Sequence, residues 1–393
     1  MISLYEGLFL ADVHIGALTF EQTCKEITHF KKLLKEYTKD RLLDFIIIGG
    51  DFFHKQMYSS DAYIGAAQRM MFAILASARV VRVVYGTSSH DSLQYHIFTS
   101  LIAELESTDV LDVDFRVITV VEEEELLPGV PVLYIPEEYI YNKQTYYDPY
   151  LSKKDSYAYI FGHGMIYEAF QGKIKPNTTE TKRKRAPVFH TGELSRACYG
   201  DVIFGHYHIH SEFPGNVSYV GSLSRWCQGE EEEKGFYRLL FNPDEKKSIK
   251  EFVVNAEALR YITVACGYNN EVFHSSDNWE PFSKKLLSRA ATKHIFQLRV
   301  MFNIPVGYEN PEALIAFFRE RFSKQDPIRV EFSHGYSEKK LKAVKERIDA
   351  LPEEHRLFID KNVPEEVKIS TFLELKRGIH ISPEVVKKFL ETN

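Results

Sequence analysis

Tryptophan and cysteine are scarce in this 393-residue chain, with two and four copies. The cysteines (Cys24, Cys198, Cys227 and Cys266) form no C-x-x-C pair, which argues against a disulfide scaffold and fits reduced thiols in a cytoplasm. No stretch approaches the roughly eighteen uncharged apolar residues of a membrane span. The opening MISLYEGLFLADVH has no basic n-region and meets charge early, so it reads as no secretion signal. Repeats and low-complexity tracts are missing too. Net charge is only -6, so any nucleic-acid surface must be a local patch. By contrast, 44% of residues are hydrophobic and 13% aromatic, ample for real cores, and the length predicts two or three domains.

Over residues 1–257, short β-branched or aromatic runs alternate with helical patterns. LYEGLFL, LLDFIIIGG and ARVVRVVYG read as strands, with helices at FEQTCKEITHFKKLLKEY and DAYIGAAQRMMFAILASA between them. The first helix places Phe20, Cys24, Ile27, Leu34 and Tyr37 near one face. Helices then thin out, and FRVITV, VPVLYIP, YAYIFG, DVIFG, VSYVG, GFYRLLF and IKEFVVN read as further strands. This pattern predicts a four-layer-like α/β sandwich. Residues 258–336 carry a strand-helix-strand-helix-strand pattern, a small α/β capping domain. Residues 337–393 are charged and helical, too short for their own core, and their apolar stripe (Leu341, Val344, Phe372, Leu373, Val386, Leu390) calls for a partner. The EEEE runs at 122–125 and 230–233 read as solvated turns, and KRKR at 182–185 as a basic loop.

Chemistry concentrates where strands end. Asp12 and His14 follow the first strand, Asp51 follows FIIIGG, and His90 and Asp91 follow RVVRVVYG. His163 follows YAYIFG, and His206 and His208 follow DVIFG. Any one of these is unremarkable alone; all five sites in order at strand ends are not. In D-x-H and H-x-H an extended backbone puts both side chains on one side. A rigid sheet then delivers them to a shared rim. A carboxylate after a double glycine can bridge two cations. Two divalent ions about 3.5–4 Å apart can activate a water and stabilise phosphoryl oxygens in an in-line displacement. The mixed imidazole and carboxylate set suits manganese, iron or zinc better than magnesium or calcium. His210 continues the alternation but falls on the rim.

The order ADVH … GGDFF … SHD … GHG … GHYH resembles the calcineurin-like metallophosphoesterases, and YVGSLSRWCQGEEEEKGF is similar to a segment of SbcD-type DNA repair nucleases. The three-part layout agrees over essentially the whole chain, in a compact form like that of phage members. The resemblance implies that Asp12, His14 and His208 hold one metal, that His163 and His206 hold the other, and that Asp51 bridges them. It also implies that His90 protonates the departing sugar oxygen, with Asp91 orienting it. Two departures stand out. The family's G-N-H-D loop supplies an amide ligand, whereas Thr87, Ser88 and Ser89 separate Gly86 from His90 here, so Ser89 becomes the candidate neutral ligand. His54 stands where the family usually has Asp, and is expected to tune a neighbouring imidazole.

The implied function is a manganese-dependent DNA exo/endonuclease acting with an SbcC-like ATPase, docked on the C-terminal segment, in repair or recombination. A homodimer and a bacterial or phage-infected cytoplasm complete that expectation. Lys173, Lys175, Lys182, Arg183, Lys184, Arg185 and Arg225 are candidate DNA-backbone contacts, with a structural ion pair as the alternative for Arg225. Two other functions fit the same residues. One is a phosphatase or phosphodiesterase on small nucleotides or phosphoproteins; the other is a scaffold that lost turnover through the Asn-free loop.

Overall fold

Three near-continuous apolar runs make the centre of the first sheet, the pattern of strands covered on both faces. β1 (Tyr5–Leu10), β2 (Leu43–Gly49) and β3 (Ala78–Val84) pair in parallel, and β4 (Asp114–Ile118) extends them. The second sheet has the same plan: β6 (Val130–Ile135), β7 (Tyr157–His163) and β10 (Cys198–Gly205) run parallel. Its edges are β5 (Glu122–Leu127), paired antiparallel with β6, and the pair β11 (Ser211–Phe213) and β12 (Val217–Tyr219). β13 (Gly235–Asn242), antiparallel to β1, and β14 (Lys247–Val254), antiparallel to β13, close the first sheet. A short parallel pair, β8 (Met165–Ile166) and β9 (Val188–Phe189), stands apart. The computed structural model describes residues 4–39, 41–58, 60–92, 94–106, 112–170, 184–226, 230–267, 269–292, 295–305, 307–323, 328–334, 367–371, 373 and 381–392.

Strand alternation sorts side chains into three cores. Leu8, Leu10, Ile46, Ile48, Val81 and Val83 pack against α1 (Phe20–Thr38), α2 (Ala62–Leu75) and α4 (His96–Glu106). Phe9, Phe45, Ile47 and Val84 face the other way and meet Val132, Tyr134, Tyr159, Phe161 and Ile203 of the second sheet. The outer face of that sheet is covered by α5 (Lys143–Leu151) and α6 (Thr191–Ala197) through Tyr147, Leu151 and Leu194. The layers are therefore helices, sheet, sheet, helices, a mixed α/β sandwich. α1 is entered through a Thr19–Gln22 capping box. Its buried face is Thr23, Ile27, Phe30 and Leu34, not the face through Phe20 and Cys24, because Phe20 is 41% exposed.

The chain forms two compact units, Met1–Thr263 with Ala290–Leu298, and Val264–Arg289 with Arg299–Asn393. A three-stranded sheet is built from β15 (Arg260–Cys266), β16 (Ile295–Ile304) and β17 (Ile328–His334). In the second unit, α7 (Trp279–Ala290) and α8 (Pro311–Phe322) contribute Phe282 and Phe318 to an aromatic cluster around Phe302. Of the tail, a helix at Pro383–Thr392 with Val386 buried lies among the described residues; SEKKLKAVKERIDAL lies outside them. Among the described residues no helix is long and apolar enough to cross a membrane, and Cys24, Cys198 and Cys266 are free thiols.

The acidic run at 122–125 is not a turn but β5. Arg82, on the inner face of β3 and 2% exposed, donates from Nε and Nη2 to both oxygens of Glu124 (3.0 and 2.7 Å), with a second bond to Asp114 at 2.6 Å. This ion pair joins the two sheets. Removing one partner of such a pair strands the other charge, so Arg82→Ala is expected to cost about 3–5 kcal/mol. Urea unfolding checks this; a change under about 1 kcal/mol would contradict the role.

Glu26, on the buried side of α1 beside Ser224, has its carboxyl pushed up from 4.5 to about 7 by burial. A carboxyl raised in the folded state stabilises fully below pH 4.5, and that contribution is lost as pH rises through about 7. Relative to Glu26→Gln, the wild type should therefore weaken by up to about 3 kcal/mol between pH 5 and 8. Parallel pH profiles of the two proteins would refute the assignment.

Candidate metal centre

Both parallel triplets end at one rim. From the first sheet, β1 releases Asp12 and His14, β2 releases Asp51, and β3 releases the loop to His90. From the second, β6 releases Glu137, β7 ends at His163, and β10 releases His206 and His208. The turns out of these strands are tight. Asp12, His14, Asp51 and His206 adopt positive φ of 51, 49, 49 and 98°, a left-handed backbone uncommon for residues other than glycine. Gly86 has to be glycine, since a Cβ there would come within 2.2 Å of the Asp51 nitrogen.

The expected ligands fall into two groups around Asp51. In one, Asp12, His14 and His208 aim donor atoms at a common point. The Nε2 atoms of His14 and His208 face each other at 3.0 Å, and each lies within 3.9 Å of Asp12 Oδ1. In the other, His163 and His206 are joined by Glu137, whose Oε2 is 3.1 Å from His206 Nδ1 and 3.8 Å from His163 Nε2. Asp51 Oδ2 stands between the groups, 3.8 Å from His14 Nε2 and 3.4 Å from His163 Nε2.

The outward sides of the rings are also held. His163 Nδ1 donates to the Gly49 carbonyl at 2.7 Å, and His208 Nδ1 is 3.1 Å from Glu230 Oε1. These partners fix each tautomer so that the Nε2 lone pair faces the cluster, the arrangement a metal ligand needs. Glu230 belongs to the second acidic run read as a solvated turn, yet it takes hydrogen bonds or ion pairs from His208, Lys234 and the Trp226 N–H. Burial opposes its ionisation, but His208 and Lys234 outweigh burial and hold its carboxyl at about 2.

Several expectations are corrected. Ser89 is exposed and contributes nothing to the cluster, because residues 88–91 form one helical turn, α3. On that turn Thr87 and Asp91, four residues apart, point inward and Ser89 points away. Thr87 donates its N–H to Asp51 Oδ1 (2.6 Å) and its hydroxyl to Glu137 Oε2 (3.1 Å). Glu137 and Thr87 thus stand beside His163, His206 and Asp51, where Ser89 does not reach.

Asp91 does not orient His90. Its buried carboxylate accepts the N–H groups of Asp51, Phe53 and Gly86 (3.2, 3.3 and 2.8 Å). His90 Nδ1 instead donates to the His54 main-chain carbonyl at 2.5 Å, leaving Nε2 for the site. The His54 and His90 rings each lie close to His14, with centroids at 5.4 and 4.9 Å.

Arg225 is buried, with its guanidinium on the carbonyls of Leu259, Glu231 and Glu232, which removes it from any DNA surface. Lys173, Lys175, Lys182 and Arg183 lie outside the described residues; Lys184 and Arg185 are exposed. His210 sits off the site as expected, bonded to the Tyr237 hydroxyl and stacked on Phe252. Glu137 escaped the sequence reading although the same signal, an apolar run followed by a donor, was present in VPVLYIPE.

The donor set fits divalent ions. Burial pushes the Asp12 carboxyl up. Burial also opposes charge on His163, but Asp51, Asp12 and Glu137 overcome it and raise the imidazole to about 10. With Nδ1 committed to Gly49, the added proton sits on Nε2 in the middle of the carboxylates, where a cation would balance the same charge. His14 differs from His163 and His208 in that its Nδ1 is buried without a hydrogen-bond partner. No family model matches the chain, and no curated protein matches it.

If Glu137 is a ligand, Glu137→Ala should weaken one of two manganese sites by at least about a hundredfold, while Glu230→Ala, acting through His208, should weaken the other about 10- to 100-fold. Titration of free manganese by electron paramagnetic resonance checks both; unchanged stoichiometry and affinity in Glu137→Ala would exclude it as a ligand.

Proposed function

We propose that the rim holds two divalent cations, manganese by donor chemistry, and hydrolyses phosphodiester bonds in DNA. The observation that carries this reading is the position of Asp51 between two ligand groups, with His90 beside one of them. Asp12, His14 and His208 would hold one ion, Glu137, His163 and His206 the other, and Asp51 both. Such a pair supplies an activated water and positive charge for the phosphoryl oxygens.

The chain's own groups do the rest. The Gly49 and Glu230 partners keep the imidazoles from rotating as charge changes at the rim. The His54 carbonyl holds His90 with Nε2 toward the cluster. As the water oxygen bonds to phosphorus and the bond to the sugar oxygen breaks, His90 gives its Nε2 proton to the departing oxygen. An imidazole titrates near neutral pH and is suited to that transfer.

DNA as substrate, an SbcC-like ATPase as partner, a homodimer and a role in repair are supported by the sequence resemblance alone. The scaffold alternative drew its force from the Asn-free loop, and the Glu137 carboxylate beside His163 and His206, a stronger donor than an amide, speaks against it.

His90→Ala should lower manganese-dependent cleavage of labelled linear DNA by about 10²–10⁴-fold with manganese binding retained. Asp51→Ala should abolish both. Cleavage that persists in both variants would remove this mechanism, and hydrolysis of small phosphate esters without DNA cleavage would favour the phosphatase reading.

A further inference from the structure

The irregular chain leaving β6 buries some side chains and exposes others as it passes the site. Glu137 turns in to the ligand cluster, Ile140 is buried, and Tyr139 and Tyr141 are 45% and 52% exposed. Both tyrosines keep about half their surface in solvent beside a cluster of charge. Tyr139 begins at the cluster itself, its hydroxyl donating to Glu137 Oε1 at 3.4 Å. Ile140 is fixed by a two-way backbone bridge to Arg185, at 3.0 and 2.9 Å. That bridge lays the basic segment alongside, and Lys184 Nζ sits 5.5 Å from the centre of the Tyr141 ring. The neighbouring acid is engaged elsewhere: Glu138 accepts from the Tyr146 hydroxyl (2.6 Å) and the Val121 N–H (3.0 Å).

One exposed ring is therefore bonded to a carboxylate of the cluster, and the other carries an ammonium group close to its face. We infer that Tyr139 and Tyr141, with Lys184 and Arg185, form a stacking platform for unpaired bases of a DNA strand whose phosphate enters the cluster. Aromatic faces interleaved with cationic groups are the chemistry that binds single strands without sequence preference. Tyr139 and Tyr141 flank the Ile140–Arg185 bridge outside any named strand, and each keeps about half its surface in solvent, open to one unpaired base. The inference rests on the phosphodiesterase reading and adds that frayed or single-stranded ends are its preferred substrate.

The test compares oligothymidine with an abasic strand of equal length and charge, using the full chain, calcium in place of manganese, and fluorescence anisotropy. The wild type should bind the base-bearing strand at least about tenfold more tightly. Tyr139→Ala and Tyr141→Ala should erase that preference, and Tyr141→Phe should keep it. Equal binding of both strands by the wild type, a measurement needing no variant, would overturn the platform, as would equally tight binding of blunt duplex. Manganese-dependent hydrolysis of bis(4-nitrophenyl) phosphate, which has no base, reports separately on catalysis. Its absence would sink the phosphodiesterase reading; its presence with no base preference would sink only the platform.

Discussion

Hydrogen bonds between the ends of two different sheets hold this site together, and everything at the rim depends on them. The Asp12 carboxylate accepts the His206 N–H at 3.0 and 3.2 Å, and the Gly49 carbonyl accepts from His163 Nδ1. Each bond crosses from the first sheet to the second. Asp91 adds a clamp within the first sheet, gathering three N–H groups from the ends of β2 and β3. These bonds maintain four left-handed residues that a relaxed chain would abandon at a gain of about 1–3 kcal/mol each. The apolar core between the sheets supplies the rigidity that makes such strain tolerable.

Charge gives the second constraint. Asp12, Asp51 and Glu137 converge in a buried space with His14, His163, His206 and His208, and carboxylates so close together cannot all ionise without cations among them. Protons can meet that need, and on His163 one does so far above the usual imidazole range. Because that proton occupies the nitrogen facing the carboxylates, proton and metal compete for one position. The same electrostatics that raise an imidazole therefore favour a divalent ion.

Much of this was legible in the sequence because burial makes local demands. FIIIGG, YAYIFG and DVIFG announce strands, and the donors that follow them land at the rim. Polar residues inside elements were illegible for the opposite reason: their roles are set by partners far away in the chain. The glutamates at 122–125 look solvated until Arg82, forty residues earlier and buried, is seen to donate to both oxygens of Glu124. Glu230 looks like a turn residue until His208 turns its back to it. Arg225 looked free to bind phosphate, yet its guanidinium is used up on three carbonyls. Ser89 failed through periodicity, since one turn of helix replaced the extended loop assumed for it.

Glu137 joins these threads. A ligand position at such a rim belongs to a point in space and not to a place in the sequence, because six strand ends border the same small volume. α3 carries Ser89 into solvent, and the acid beside His163 and His206 comes after β6, in the other sheet. A carboxylate there brings a full negative charge. That charge also reaches Tyr139, binding the first exposed ring to the ligand shell through one hydrogen bond. The departure that first made the β3 loop look deficient thus moves the site's chemistry toward β6, the strand that also carries its exposed aromatic surface.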